Sequence, residues 1–96
     1  MEVLTTPKFR KWLEELPDRR ARARIQTRIV RIGLGNLGDA KALGDAVGEL
    51  RVDYGPGYRV YFVRRGDTLV ILLCGGDKRT QASDIALAKV MAKEVR

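Results

Sequence analysis

Histidine is absent from this 96-residue chain. That removes the commonest general base and the commonest transition-metal ligand together. Cysteine occurs once, at Cys74. An internal disulfide is therefore excluded, and with histidine also missing the sequence argues against a zinc site. No metal and no cofactor are expected. Cys74 lies in an apolar stretch, where a thiol packs more often than it reacts, and the pattern fits a reduced cytoplasm. Long apolar runs are missing too. The longest, Leu69 to Cys74, is far too short to span a bilayer, and the N-terminus lacks the apolar region of a secretory leader. A cytoplasmic protein without a membrane partner is the expectation. No internal repeat or low-complexity segment occurs.

Acidic residues are the other shortage. Lys and Arg number 19 against 12 Asp and Glu, a net charge of +7. On so short a chain this points to a polyanionic partner: nucleic acid, an acidic protein or a membrane surface. The plainer explanation is a set of solvated arginines. With 45% hydrophobic and 32% charged residues the chain has a globular balance, and its length suits one domain spanning 1–96.

Glu2 to Thr5 reads as a short strand. Thr6-Pro7 reads as an N-cap followed by proline at the first helical position. Phe9, Trp12, Leu13 and Leu16 recur at helical spacing, which predicts a helix over 7–16 ended by Pro17. Asp18 caps a second helix to about Ile32, with Ala21, Ile25, Ile29 and Ile32 as its buried stripe and Arg19, Arg20, Arg22, Arg24, Arg28 and Arg31 around the rest. Residues 36–45 read as a connection. From Val47 the period becomes two, and three strands follow, joined at Gly55-Pro56-Gly57 and Arg65-Gly66-Asp67. A last helix is expected over 81–95, with Ile85, Ala88, Met91 and Val95 on its apolar side. The fold class is α+β: a helical hairpin on a small, mainly antiparallel sheet, with a three-stranded meander, a short N-terminal strand and a C-terminal helix.

The first strand pair allows a register argument. A two-residue Pro56-Gly57 loop would mix polar and apolar residues on both faces. A Gly55-Pro56-Gly57 loop sorts them, with Val52 opposite Val60 and Leu50 opposite Phe62 on one face, and Asp53 opposite Arg59 and Arg51 opposite Tyr61 on the other. The second face, carrying Glu49, Arg51, Asp53, Arg59 and Tyr61, is expected to be exposed.

Arg51 and Arg59 are guanidinium groups suited to gripping phosphate, and Lys78 and Arg79 follow the last strand. Such a cluster would oppose the charge that builds on phosphoryl oxygens during phosphodiester cleavage. RNA supplies its own nucleophile, the 2′-hydroxyl. The candidates for proton transfer are Lys78, Tyr61, Asp53, Asp77 and Glu49, and Tyr61 could instead stack on a base. The plainer reading is a solvated strand face with cross-strand ion pairs such as Asp53–Arg59. The second helix is likewise readable as a solvated face, or as a track for RNA backbone with Arg19 and Arg22 as contacts.

The order helix–helix–strand–strand–strand, the segment Glu49-Leu50-Arg51-Val52-Asp53-Tyr54-Gly55-Pro56-Gly57-Tyr58-Arg59-Val60-Tyr61, and the stretch Leu72-Leu73-Cys74-Gly75-Gly76-Asp77-Lys78 resemble the RelE/ParE toxin superfamily. The HigB-like branch of phage-derived addiction module killer proteins is the most similar, and the resemblance covers nearly the whole chain. It implies a RelE-like fold and the toxin of a type II toxin–antitoxin module, a ribosome-dependent endoribonuclease acting on mRNA. It implies a cognate antitoxin as partner, a helix-turn-helix protein of HigA type. By the same resemblance Arg59 matches the phosphate-binding arginine after Gly-Tyr, Arg51 a basic position on the preceding strand, and Lys78 and Arg79 the basic loop after the last strand. The chain departs from the pattern where RelE-like members carry a tyrosine after that loop. Here the segment reads Thr80-Gln81-Ala82-Ser83-Asp84-Ile85, so Tyr61 or Lys78 takes over, or charge stabilisation acts alone. Two other functions fit the same residues: a ParE-like DNA gyrase inhibitor without catalysis of its own, and an inactive RNA-binding relic.

Overall fold

The structure, a computed structural model, describes residues 1–95. The chain runs β1 (Glu2–Thr5), α1 (Pro7–Glu15), α2 (Arg19–Gly33), β2 (Ala40–Gly44), β3 (Val47–Val52), β4 (Tyr58–Arg65), β5 (Leu69–Asp77), a 3-10 turn (Lys78–Thr80) and α3 (Gln81–Glu94). The five strands form one sheet in the order β1-β5-β4-β3-β2. β1 lies parallel to β5, and every other pairing is antiparallel.

Local chemistry sets the helix starts. Thr6 accepts from the Phe9 amide at 3.1 Å and donates to the Leu73 carbonyl at 2.5 Å, so one hydroxyl both caps α1 and ties it to β5. Asp18 accepts from the amides of Arg20 (2.9 Å) and Ala21 (3.3 Å) at the start of α2. Burial opposes ionisation of that carboxyl, but the Ala21 amide, Tyr54 and the Arg20 amide outweigh it and hold its pKa below the ordinary value. No helix among the described residues is long and apolar enough to cross a membrane.

The sheet has two buried faces. α1 and α2 cover one, where Phe9, Ala21, Ile25 and Ile32 meet Leu50, Val52, Tyr58, Val60, Phe62, Val70 and Leu72. α3 covers the other, where Ala88 and Ala92 meet Val47, Tyr61, Val63, Ile71, Leu73 and Cys74. A bulge in β5 lets the consecutive residues Leu73 and Cys74 serve the same face, since Tyr61 pairs with Cys74 and Phe62 with Leu72.

Three expectations are corrected. The 36–45 connection contains a strand, β2, which pairs with β3. The loop between β3 and β4 is longer than expected: the ladder ends at Val52–Tyr58, Arg51 faces Arg59, and Tyr61 faces Glu49. The shift is by two residues along the pair, so every side chain stays on its expected face, but Asp53 falls outside the ladder and does not pair with Arg59. The turn is held by Tyr54 N to Val52 O (2.9 Å) and Gly57 N to Tyr54 O (3.1 Å), with Gly57 at a φ of 81°. Finally, the face carrying Glu49, Arg59 and Tyr61 is not exposed, because α3 lies across it.

Candidate functional site

At the end of the sheet where α3 begins, Arg51 on β3, Arg59 on β4 and Gly76 on β5 form one cross-strand row. Directly opposite residues on antiparallel strands hold their Cβ atoms about 4.5–5.5 Å apart, and two like charges there repel. Two carboxylates offset that repulsion. Arg59 Nε lies 3.9 Å from Glu49 Oε1, and Arg51 Nε lies 3.7 Å from Asp39 Oδ1. The two pairs differ in setting. Asp39 is exposed and Arg51 half-buried, its Nε out of water, whereas Glu49 is 2% exposed and Arg59 7% exposed. The expectation that Arg59 stands on an open face is therefore corrected: its side chain, Nε included, is buried under α3.

Glu49 is held from the other side as well. Gln81, the first residue of α3, donates from Nε2 to Glu49 Oε2 at 2.8 Å. The N-terminus of α3 is thus bonded to the carboxylate that positions Arg59. The guanidinium itself is only lightly committed. Its Nη1 donates to the Tyr58 carbonyl at 3.3 Å, and its Nε is buried without a hydrogen-bond partner among the described residues. The Nη end of such a guanidinium has N–H groups left to donate to an anion's oxygens.

Tyr61 is fully buried, so it cannot stack on a base, and its expected place on an open surface is corrected. Burial, then the neighbouring charge of Glu49, pushes its phenol far above the ordinary tyrosine range. It holds its proton too firmly for acid–base work.

The basic turn after β5 is well built. Asp77 accepts from the Arg79 amide at 2.8 Å and pairs with Arg79 Nη2 at 2.9 Å. The Arg79 guanidinium holds the Asp77 carboxyl below the usual carboxylate value against the opposing effect of burial. Lys78 runs its aliphatic stem across Gly57, where an added Cβ would meet it at 3.0–3.1 Å, so this turn and the β3–β4 loop touch. Arg51, Arg59, Lys78 and Arg79 thereby gather at one end of the sheet. Arg19 and Arg22 do not join them. α2 covers the opposite sheet face, and Arg22 donates to the Glu14 carbonyl of α1 at 3.3 Å.

Gly75 and Gly76 are demanded by one neighbour on each face. A Cβ on Gly75 would enter the ring of Trp12, and one on Gly76 would collide with the Asp84 carboxylate. Asp84 accepts from the Thr80 hydroxyl at 2.5 Å and sits beside the arginine row. The sequence reading did not single out Asp84 or Gln81. The helical reading of 81–95 holds both residues, but nothing in the order of residues signals that they reach β5 and β3. No group of three metal-ligating side chains occurs among the described residues. Cys74 is buried, and burial, with Asp84 adding to it, pushes its thiol up to about 11, which makes it a packing residue at neutral pH.

The profile of the family described as "Phage derived protein Gp49-like (DUF891)" matches residues 11–94. The chain belongs to the Gp49-like family. A relative of this Gp49-like protein in Haemophilus influenzae (strain ATCC 51907 / DSM 11121 / KW20 / Rd), described as an uncharacterized protein, is 50% identical over 95 residues, which cover 99% of this chain and 96% of the relative. A chain in the crystal structure of the RelB-RelE antitoxin-toxin complex from Methanococcus jannaschii shares the fold, with a TM-score of 0.66 and 22% identity over 84% of this chain and 96% of that one.

Proposed function

We propose that this Gp49-like chain is the toxin of a type II toxin–antitoxin module, of the HigB-like branch of RelE/ParE toxins, and cuts mRNA on the ribosome. The observation that carries the reading is the Arg51–Arg59 row beside the exposed Lys78–Arg79 turn. Family membership and the fold shared with a chain of a RelB-RelE complex support it. Its partners are then a cognate antitoxin of HigA type and mRNA in the ribosomal A site, and its place is the cytoplasm.

In the reaction the RNA 2′-hydroxyl attacks the adjacent phosphorus and the bond from phosphorus to the 5′-oxygen breaks. The 2′ proton passes to water, the 2′-oxygen and phosphorus close a cyclic phosphate, and the 5′-oxygen gains a proton from the protein. Negative charge gathers on the non-bridging oxygens, where Arg59 and Arg51 donate hydrogen bonds. Losing one such donor typically lowers the rate by about 10²–10³. Of the proton-transfer candidates, Tyr61 and Glu49 are buried, Asp77 is bound to Arg79, and Asp53 lies beyond the strand pair. Lys78 is exposed and lies over Gly57, so the proton to the leaving oxygen is assigned to it.

A second reading, inhibition of DNA gyrase without cleavage, is favoured by two observations: the chain has no histidine, and the tyrosine beside the arginine row is buried. Toe-printing on translating ribosomes, run beside a gyrase supercoiling assay, separates the two. New mRNA ends in the A site with unaffected supercoiling are expected. Intact mRNA with blocked supercoiling would replace the RNase reading with the gyrase one. Silence in both assays would leave an inactive RNA-binding relic.

A further inference from the structure

α2 carries six arginines and no acidic residue. Arginines on the strands answer to carboxylates: Arg51 to Asp39, Arg59 to Glu49, Arg64 to Asp67. No arginine of α2 makes an ion pair among the described residues. Like charges at this spacing on a helix repel, so the arrangement works against the helix unless something outside it supplies the anion.

One of the six has a structural task. Arg28 donates to the carbonyls of Arg51 (2.6 Å), Leu37 (3.0 Å) and Asp39 (3.0 Å), which ties α2 to β3 and to the segment before β2. Arg20, Arg24 and Arg31 stay free and border a groove of about 620 Å³ with Ala23, Thr27 and Asp53. Arg20 and Arg31 stand about 16 Å apart along the helix axis at 1.5 Å per residue. Arg24 lies over the Tyr54 ring, 4.7 Å from its centre, and so presents a flat guanidinium plane.

The geometry points to an occupant: the groove holds the sugar-phosphate backbone of single-stranded RNA flanking the nucleotide at Arg51–Arg59. This rests on the proposed function. Charge selects an anion. The groove is open and floored by the small side chains of Ala23, Thr27 and Val52, so it offers little depth to the bulky anchors of an acidic amphipathic helix. The groove opens on the sheet face opposite the arginine row, and the two approach each other around the end of β3. Asp53, on its border, follows Arg51 by two residues, and Arg28 bonds the Arg51 carbonyl directly. A strand that leaves the arginine row and turns around the end of β3 reaches the groove, where the Arg24 plane is suited to stack an unpaired base.

The test uses the full chain and uncleavable 2′-O-methyl oligoribonucleotides of about 12 and about 4 nucleotides, sizes within the range of single-strand binding sites. Binding is followed by anisotropy over a salt series. Arg20, Arg24 and Arg31 are replaced together by Gln, which keeps helix propensity. For the longer RNA the slope of log Kobs against log[salt] is expected to flatten by about 2, at about 0.7 per lost phosphate contact, while binding of the short RNA stays unchanged. Arg59→Gln is expected to weaken both. An unaltered slope and affinity for the long RNA in the triple variant would overturn the groove. So would a failure of the wild-type chain to bind either RNA, or a triple variant that loses only a poly-glutamate peptide, which would assign the groove to an acidic protein. If Arg59→Gln changes neither RNA while the triple variant flattens the slope, the groove stands and the arginine-row reading falls.

Discussion

Replacing Glu49 by Gln removes one charge from a buried pair and keeps the side chain's shape. The amide oxygen of Gln can still accept from Gln81, so the 2.8 Å bond to α3 survives in outline. The charge of Arg59, at 7% exposure, loses its counter-ion. Breaking a buried pair by removing one partner costs about 3–5 kcal/mol. The 3.9 Å separation and the sliver of Arg59 in water place this one at the low edge, about 3 kcal/mol. For a domain of this size each kcal/mol moves Tm by about 4–8 °C, so the expected drop is about 12–24 °C. Trp12, the single tryptophan, is half-buried between Phe9 and Tyr58 and serves as the optical probe of urea unfolding. Arg59→Met and the double variant complete a cycle, in which the double variant should recover part of each single loss. A Glu49→Gln loss below about 1 kcal/mol, the level of an exposed pair, would refute the claim that Glu49 holds Arg59 through a buried charge.

Further outcomes follow from the same geometry. Gly76→Ala should destabilise by about 1–3 kcal/mol, the usual effect of overpacking, and Asp84→Ala in the same chain should restore part of it; equal effects with and without Asp84 would contradict the contact. The carboxyls of Asp18 and Asp77 are both held below their ordinary value of 3.8. Their contribution to stability is therefore complete above that value and is lost as pH falls through the lower folded-state values. The urea midpoint should drop between about pH 5 and about pH 2, and Asp18→Asn, which keeps the cap, should shallow that drop.

Much of this was legible in the order of residues. Thr6-Pro7 and Pro17-Asp18 carry their own start and stop chemistry, so α1 and α2 fall where spacing puts them. Face assignment in β3 and β4 was legible as well, since side chains alternate strictly and a shift of two residues leaves the faces intact. The exact pairing was not, because a longer turn closed by Tyr54 and Gly57 sorts the faces equally well. β2 was hidden because Ala40-Lys41-Ala42-Leu43-Gly44 is short, glycine-ended and poor in β-branched residues. The cover over the second face had a signal that alternation obscured. Val60 to Val63 and Leu69 to Cys74 are apolar on both sides, as strands buried on two faces are. At the site, the shared face of Arg51 and Arg59 was readable but their direct pairing was not, and Gln81 and Asp84 are brought to them by the return of α3 across the sheet.

The central claim, that Arg51 and Arg59 act on an RNA phosphate, is tested most directly by primer extension on mRNA from cells expressing Arg59→Gln, checked for folding by its urea midpoint. The account predicts a protein less stable by about 3 kcal/mol but still folded at the assay temperature, whose A-site cleavage falls by about 10²–10³ relative to the unaltered chain. A folded Arg59→Gln variant that cleaves at the wild-type rate would contradict it.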